Sequence, residues 1–127
     1  FKEEQDHAMI FFNYLQSRGG DVRLAAVDKV ETDWANPLAV FENTLAHEQK
    51  VTSLINNLMD IAVQEKDYAA QSRLQWFIDE QVEEEENATD IIQKLKLLDG
   101  NSYGMYVLDQ ELAARTYVQA APLATAE

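Results

Sequence analysis

Four side chains stand out by type and spacing: Glu4, His7, Glu48 and Gln81. Glu4 and His7 are three residues apart, which puts them on one face of a helix. Glu48 and Gln81 each interrupt an apolar helical series near its middle, and Glu84 follows Gln81 by one turn. Carboxylates, an imidazole and an amide form a ligand set for a hard-to-borderline divalent ion with open positions. Iron or manganese fits that description better than a closed structural zinc site. A lone ionised carboxylate in an apolar seam would cost several kcal/mol. Several at one depth without a cation would repel each other and take up protons. A bound divalent metal removes both problems. Two plainer readings compete: a register one residue off would leave these groups in solvent, and a buried hydrogen-bonded network would need no metal.

The rest of the composition agrees with a cation as partner. The chain has 127 residues, with 10 Lys+Arg against 23 Asp+Glu, a formal net charge of −13. Nucleic acid and anionic membranes need basic surface, so neither is an expected partner. The hydrophobic fraction of 46% suits a folded domain rather than a disordered chain. With 0 Cys there is no disulfide framework, thiolate metal site or cysteine nucleophile. No apolar run approaches the ~20 residues of a membrane span and no signal-peptide pattern occurs. A cytoplasmic protein is the expectation.

The elements that must position these groups are long helices. With only 4 Gly and 2 Pro, the stretches between turn-formers read helical. A first helix is expected from Phe1 to about Arg18, stopping at Gly19-Gly20-Asp21. Residues 21–35 lack helical periodicity and read as an extended crossover. Asn36-Pro37 is an N-cap followed by Pro at the first helical position, opening a second helix to about Lys66. A third runs from about Ala69 to Leu98, and a short fourth from Tyr103 to Ala114. The tail from Ala120 is small and polar enough to fray. The apolar series of the second helix is Leu38, Phe41, Leu45, Glu48, Thr52, Ile55, Met59, Ala62. That of the third is Leu74, Phe77, Gln81, Glu84, Ala88, Ile91, Leu95, Leu98. Counted from the break near residue 67, Glu48 lies roughly 27 Å along its helix, and Gln81 and Glu84 roughly 21 and 26 Å along theirs. Glu4 lies roughly 21 Å from the end of the first helix, so all the polar seam residues fall at one level. The crossover is long enough to return along the whole bundle. The expected fold is all-α, a single domain over 1–127.

These segments resemble a bacterial non-haem ferritin. The resemblance rests on Glu3-Glu4-Gln5-Asp6-His7, on His47-Glu48-Gln49, and on Leu74-Gln75-Trp76-Phe77-Ile78-Asp79-Glu80-Gln81-Val82-Glu83-Glu84-Glu85. Gly104-Met105-Tyr106-Val107-Leu108-Asp109 is similar to the start of the family's short fifth helix. The implied fold is a ferritin-like four-helix bundle with a long crossover and a short C-terminal helix. Its first bundle helix is absent from this chain, which reads as N-terminally truncated. That absence would uncover the strip Phe11, Leu45, Phe77 and Ile91, so the strip is expected to be covered by a second copy or by rearranged helices, or by an N-terminal helix outside this sequence.

The resemblance also implies roles. Glu4 would bridge two irons and His7 would bind the first. Glu48 would bind the second, with Gln81 beside it. A third iron site would use Glu3, Glu80, Glu83 and Glu84. Read from charge alone, Glu83, Glu85 and Glu86 are a solvated acidic face, and His47 is a surface or packing residue. Gln5 stands where haem-carrying relatives place a ligating Met, so no haem is expected. The implied activity is iron storage. Fe(II) would be oxidised at a dinuclear ferroxidase centre by O2 or peroxide, and ferric mineral stored in a homo-oligomeric cage of twenty-four subunits. A non-catalytic acidic helical interaction module, or another diiron oxidoreductase of this fold, remains the alternative.

Overall fold

The computed structural model describes residues 1–124. Among them are five helices and no strand: α1 Lys2–Ser17, α2 Pro37–Gln64, α3 Tyr68–Leu98, α4 Ser102–Ala113 and α5 Ala121–Ala124. No described helix is long and apolar enough to cross a membrane. The chain groups into two compact units, Thr32–Val107 and Phe1–Glu31 with Leu108–Glu127.

The larger unit is built on the α2–α3 hairpin. Asn36 caps α2, its side chain accepting from the Ala39 N–H at 2.8 Å, and Pro37 takes the first helical position without losing a bond. At the other end, the Asp67 N–H bonds to Ala62 O at 2.9 Å and the Lys66 N–H to Val63 O at 3.1 Å. This paired pattern closes the last turn and needs a left-handed residue, here Lys66 at φ 56°. Asp67 also starts the next helix, its carboxylate accepting from the Ala70 N–H at 3.0 Å. Gln71 Nε2 donates to Ala62 O across the corner at 3.1 Å.

From there the helices run antiparallel. Contacts step from Ala62–Gln71 through Thr52–Glu85 to the Lys96–Glu42 ion pair at 3.1 Å. The seam matches its expected series on α3, where Leu74, Phe77, Gln81, Ala88, Ile91 and Leu95 are buried. On α2, Ile55 and Ala62 are buried, and Leu38, Phe41, Leu45, Glu48, Thr52 and Met59 are half-buried. Of the strip that loss of a bundle helix would uncover, Phe77 and Ile91 are buried within this chain, 2% and 8% exposed, and Phe11 and Leu45 are half-buried.

The smaller unit holds α1 and the chain from Leu108. α1 ends one residue earlier than expected, with the Gly20 N–H on Leu15 O at 2.9 Å and Gly19 at φ 74°. Glycine is the residue that enters this conformation without a Cβ penalty. The stretch to Trp34 is free of helix, as the missing periodicity implied. The tail differs from expectation. Asp6 Oδ2 accepts from the Tyr117 hydroxyl at 2.7 Å and from the Ala120 N–H at 2.9 Å, and a single helical turn, α5, follows. Order there comes from α1, not from the tail's own periodicity. The last three residues of that tail lie outside the described residues.

Candidate metal centre

Each unit brings two of the four expected ligands together. In the smaller unit, His7 Nδ1 lies 3.6 Å from Glu4 Oε2, one helical turn apart on α1. The His7 side chain is only 13% exposed, whereas that of Glu4 is 66% exposed. Glu4 was expected in a seam. It stands instead in solvent with Glu3 in the first turn of α1, where unbonded N–H groups favour negative charge.

In the larger unit, Gln81 and Glu48 meet across the hairpin, 33 positions apart in sequence. Gln81 Nε2 lies 3.3 Å from Glu48 Oε2, 3.2 Å from the Glu48 carbonyl and 3.3 Å from Thr52 Oγ1. Gln81 is 4% exposed, the one buried polar residue among those described. The Glu48 side chain is 14% exposed. Its other oxygen lies 3.6 Å from Nδ1 of His47, which is solvent-facing, as expected of a surface residue.

Of the residues assigned to a third iron, Glu3 and Glu83 are exposed, and Glu80 and Glu84 are half-buried. Among the described residues, no three His or carboxylate side chains cluster closely enough to hold a metal ion.

The geometry also finds what the charge run hid. Glu85 is half-buried, not part of a solvated face, and accepts from Thr52 Oγ1 at 2.6 Å. Glu85, Thr52, Gln81 and Glu48 therefore form one continuous hydrogen-bonded chain. The signal available in sequence was spacing: Thr52 is one turn beyond Glu48, and Glu85 one turn beyond Gln81.

On α1 the Asp6 carboxylate is perturbed. The Ala120 N–H, and after it the Tyr117 hydroxyl, hold the Asp6 carboxyl below its ordinary value of 3.8. The same bond pushes the Tyr117 hydroxyl above its ordinary 10.0. Lys2 Nζ sits over the Tyr117 ring, 5.3 Å from its centre.

An antiparallel hairpin of helices of 28 and 31 residues, with a carboxylate and an amide paired in its interior, marks a helical-bundle protein of the ferritin-like class. The family profile described as "Ferritin-like domain" matches residues 1–98. A bacterial non-heme ferritin of Staphylococcus aureus (strain USA300) is 40% identical over 116 residues, covering 91% of this chain and 70% of that protein. One from Bacteroides fragilis (strain 638R) is 40% identical over 114 residues, covering 90% and 70%. Among solved structures, the open pore ferritin of the archaeon Archaeoglobus fulgidus superposes with a TM-score of 0.89. It is 44% identical and covers 91% of this chain and 71% of its own. A humanized archaeal ferritin gives 0.91 at 42% identity. This chain belongs to the ferritin family, and its all-α fold is that of the ferritin four-helix bundle.

Proposed function

We propose that this chain is an iron-storage subunit with ferroxidase activity. The observation that carries the reading is the buried Gln81 amide paired with the Glu48 carboxylate at mid-hairpin in a ferritin-family chain. In this reading iron is the substrate. Two Fe(II) give up one electron each, reducing O2 to peroxide, or peroxide to water, with protons taken from solvent. Glu4 bridges the two ions, His7 binds the first, Glu48 binds the second and Gln81 stands beside it. Glu3, Glu80, Glu83 and Glu84 supply a third site that receives iron on its way to storage. Carboxylate, imidazole and amide oxygen suit Fe(II) and still accept Fe(III), so one set of side chains serves both oxidation states. The subunits assemble into a twenty-four-membered cage in the cytoplasm that encloses the ferric product. The net charge of −13 supports this by raising cation concentration near the surface.

The test is aerobic addition of Fe(II) to the purified protein, followed by ferric absorbance and by particle mass from light scattering. Ferric product forming well above the buffer rate is expected. Oxidation no faster than buffer would overturn the ferroxidase reading, and would favour an acidic helical module that binds partners without chemistry.

A further inference from the structure

We propose that residues 115–124 form a strap that holds the first two turns of α1, and with them the Glu4–His7 pair, in helical register. The strap acts on the helix itself, so its failure and that of the iron-site reading are separate events.

The anchor is Tyr117, which touches α1 twice. Its hydroxyl donates to Asp6 Oδ2 at 2.7 Å, and Lys2 Nζ lies 5.3 Å from the centre of its ring. Lys2 and Asp6 are four residues apart, which puts them on one face of α1, about 6 Å apart along its axis. One tyrosine therefore spans the step from the first turn to the second. The Ala120 N–H adds a second bond to the same Asp6 oxygen at 2.9 Å, and α5 packs against α1 beyond it. Residues 115–120 carry no helix, so no local structure competes for these groups. The strap then continues as Ala120-Ala121-Pro122, the residue types that lose least side-chain freedom when ordered.

The start of α1 has reason to need such support. Phe1 stands at its N-cap and makes no side-chain capping bond. Lys2 lies at the end of the helix where the dipole disfavours a cation, and the face of the Tyr117 ring gives that charge a partner. Opening the first turn swings Lys2 away from Asp6, so it has to break the grip of Tyr117 as well. At about 100° per residue, His7 and Glu4 project about 100° to 160° around the helix from Lys2 and Asp6. The strap thus grips one side of α1 and stays clear of the side that carries the imidazole and the carboxylate.

The experiment is hydrogen–deuterium exchange of the full chain at neutral pH, read amide by amide by NMR. The Gln5 N–H, bonded to Phe1 O at 3.1 Å, and the amides of residues 6–9 report on the gripped turns. The amides of residues 85–95, within α3, report on the rest of the fold. Tyr117→Phe keeps the ring and loses the hydroxyl. It lies more than a hundred residues from the amides read on α1, so that helix keeps its own propensity. Exchange in residues 5–9 should quicken by about 2-fold to 10-fold, the worth of one net hydrogen bond, with α3 unchanged. Lys2→Gln should act in the same direction, and Lys2→Arg, which keeps a cation over the ring, should not. Exchange in residues 5–9 that neither Tyr117→Phe nor Lys2→Gln alters overturns the strap. A quickening shared equally by α3 overturns it too, since that is a general loss of stability. If Tyr117→Phe does not fold, Lys2→Gln against Lys2→Arg decides alone.

Discussion

Glu48→Gln separates the metal-binding role proposed for this side chain from its role in folding. The change keeps the side chain's shape and still offers an oxygen to Gln81 Nε2, now 3.3 Å from Glu48 Oε2. Gln81 also retains its bonds to the Glu48 carbonyl and to Thr52 Oγ1, so no donor is orphaned. Metal-free stability should therefore change by no more than about 0.5 kcal/mol, the range of a substitution that breaks no buried network. Metal binding should fall much further, because the charged ligand becomes a neutral one. A metal held at 100 times its dissociation constant stabilises the native state by about 2.7 kcal/mol. Weakening that constant roughly 30-fold leaves about 0.9 kcal/mol. For a chain of 127 residues, unfolding entropy of about 2.1 cal/mol/K per residue converts 1 kcal/mol into roughly 4 °C. The metal-induced rise in Tm should thus shrink from about 10 °C to about 3 °C, while the metal-free Tm moves by no more than about 2 °C. Thermal unfolding by circular dichroism, with and without Co(II), measures both. An undiminished metal shift would remove Glu48 from the ligand set. A metal-free loss above about 2 kcal/mol would make its carboxylate a structural acceptor instead.

Three further outcomes are expected. Lys66→Gly should stabilise the protein by about 0.5–1 kcal/mol, because Lys66 sits at φ 56° where only glycine escapes the Cβ penalty; denaturant unfolding measures it, and a loss of stability would refute the strain. The Asp6 carboxyl titrates below 3.8 in the folded state, so its hold on Ala120 is complete above that value and is lost as pH falls through the folded one. Protection of the Ala120 amide, taken as its exchange relative to a free amide at the same pH, should accordingly hold from neutral pH down to 3.8 and collapse only in stronger acid, and Tyr117→Phe should bring the Asp6 titration nearer to 3.8 in an NMR titration. His7→Ala should slow aerobic Fe(II) oxidation by about 10-fold or more while one Co(II) still binds at Glu48, and loss of both ions together would show that the two positions are not separable.

Much of this was legible in the sequence, for identifiable reasons. The helix ends were, because caps act within a turn: Asn36-Pro37 and Gly19-Gly20 each specify their local geometry unaided. Gln81 was too, since one polar residue in a regular apolar series must be buried or break the seam. The exposure of Glu4 was not legible, because periodicity assigns a face and says nothing of how far a helix's first turn is covered. Glu85 was hidden among neighbours of the same charge, and only the registry of α3 against α2 decides which of several glutamates reaches Thr52. The turn at Ala121–Ala124 was out of reach altogether, since what orders it is Asp6, more than a hundred residues earlier.

The corner at Glu65-Lys66-Asp67 has a consequence for how this chain can vary. Because the same three residues end α2 and begin α3, the two helices are zeroed against each other at a single point. Every position farther along is located by counting from it. Glu48 is 17 residues before Glu65 and Gln81 is 14 after Asp67, roughly 26 Å and 21 Å of helix. Removing one residue anywhere in either run moves everything beyond it by about 1.5 Å and turns it by about 100°, which carries Gln81 or Glu48 off the shared face. Between these two side chains the chain works as a ruler: many letters can be exchanged, but none can be added or dropped. The stretch from Gly20 to Trp34, with no helix to keep in phase, is under no such constraint and is where differences in length can accumulate.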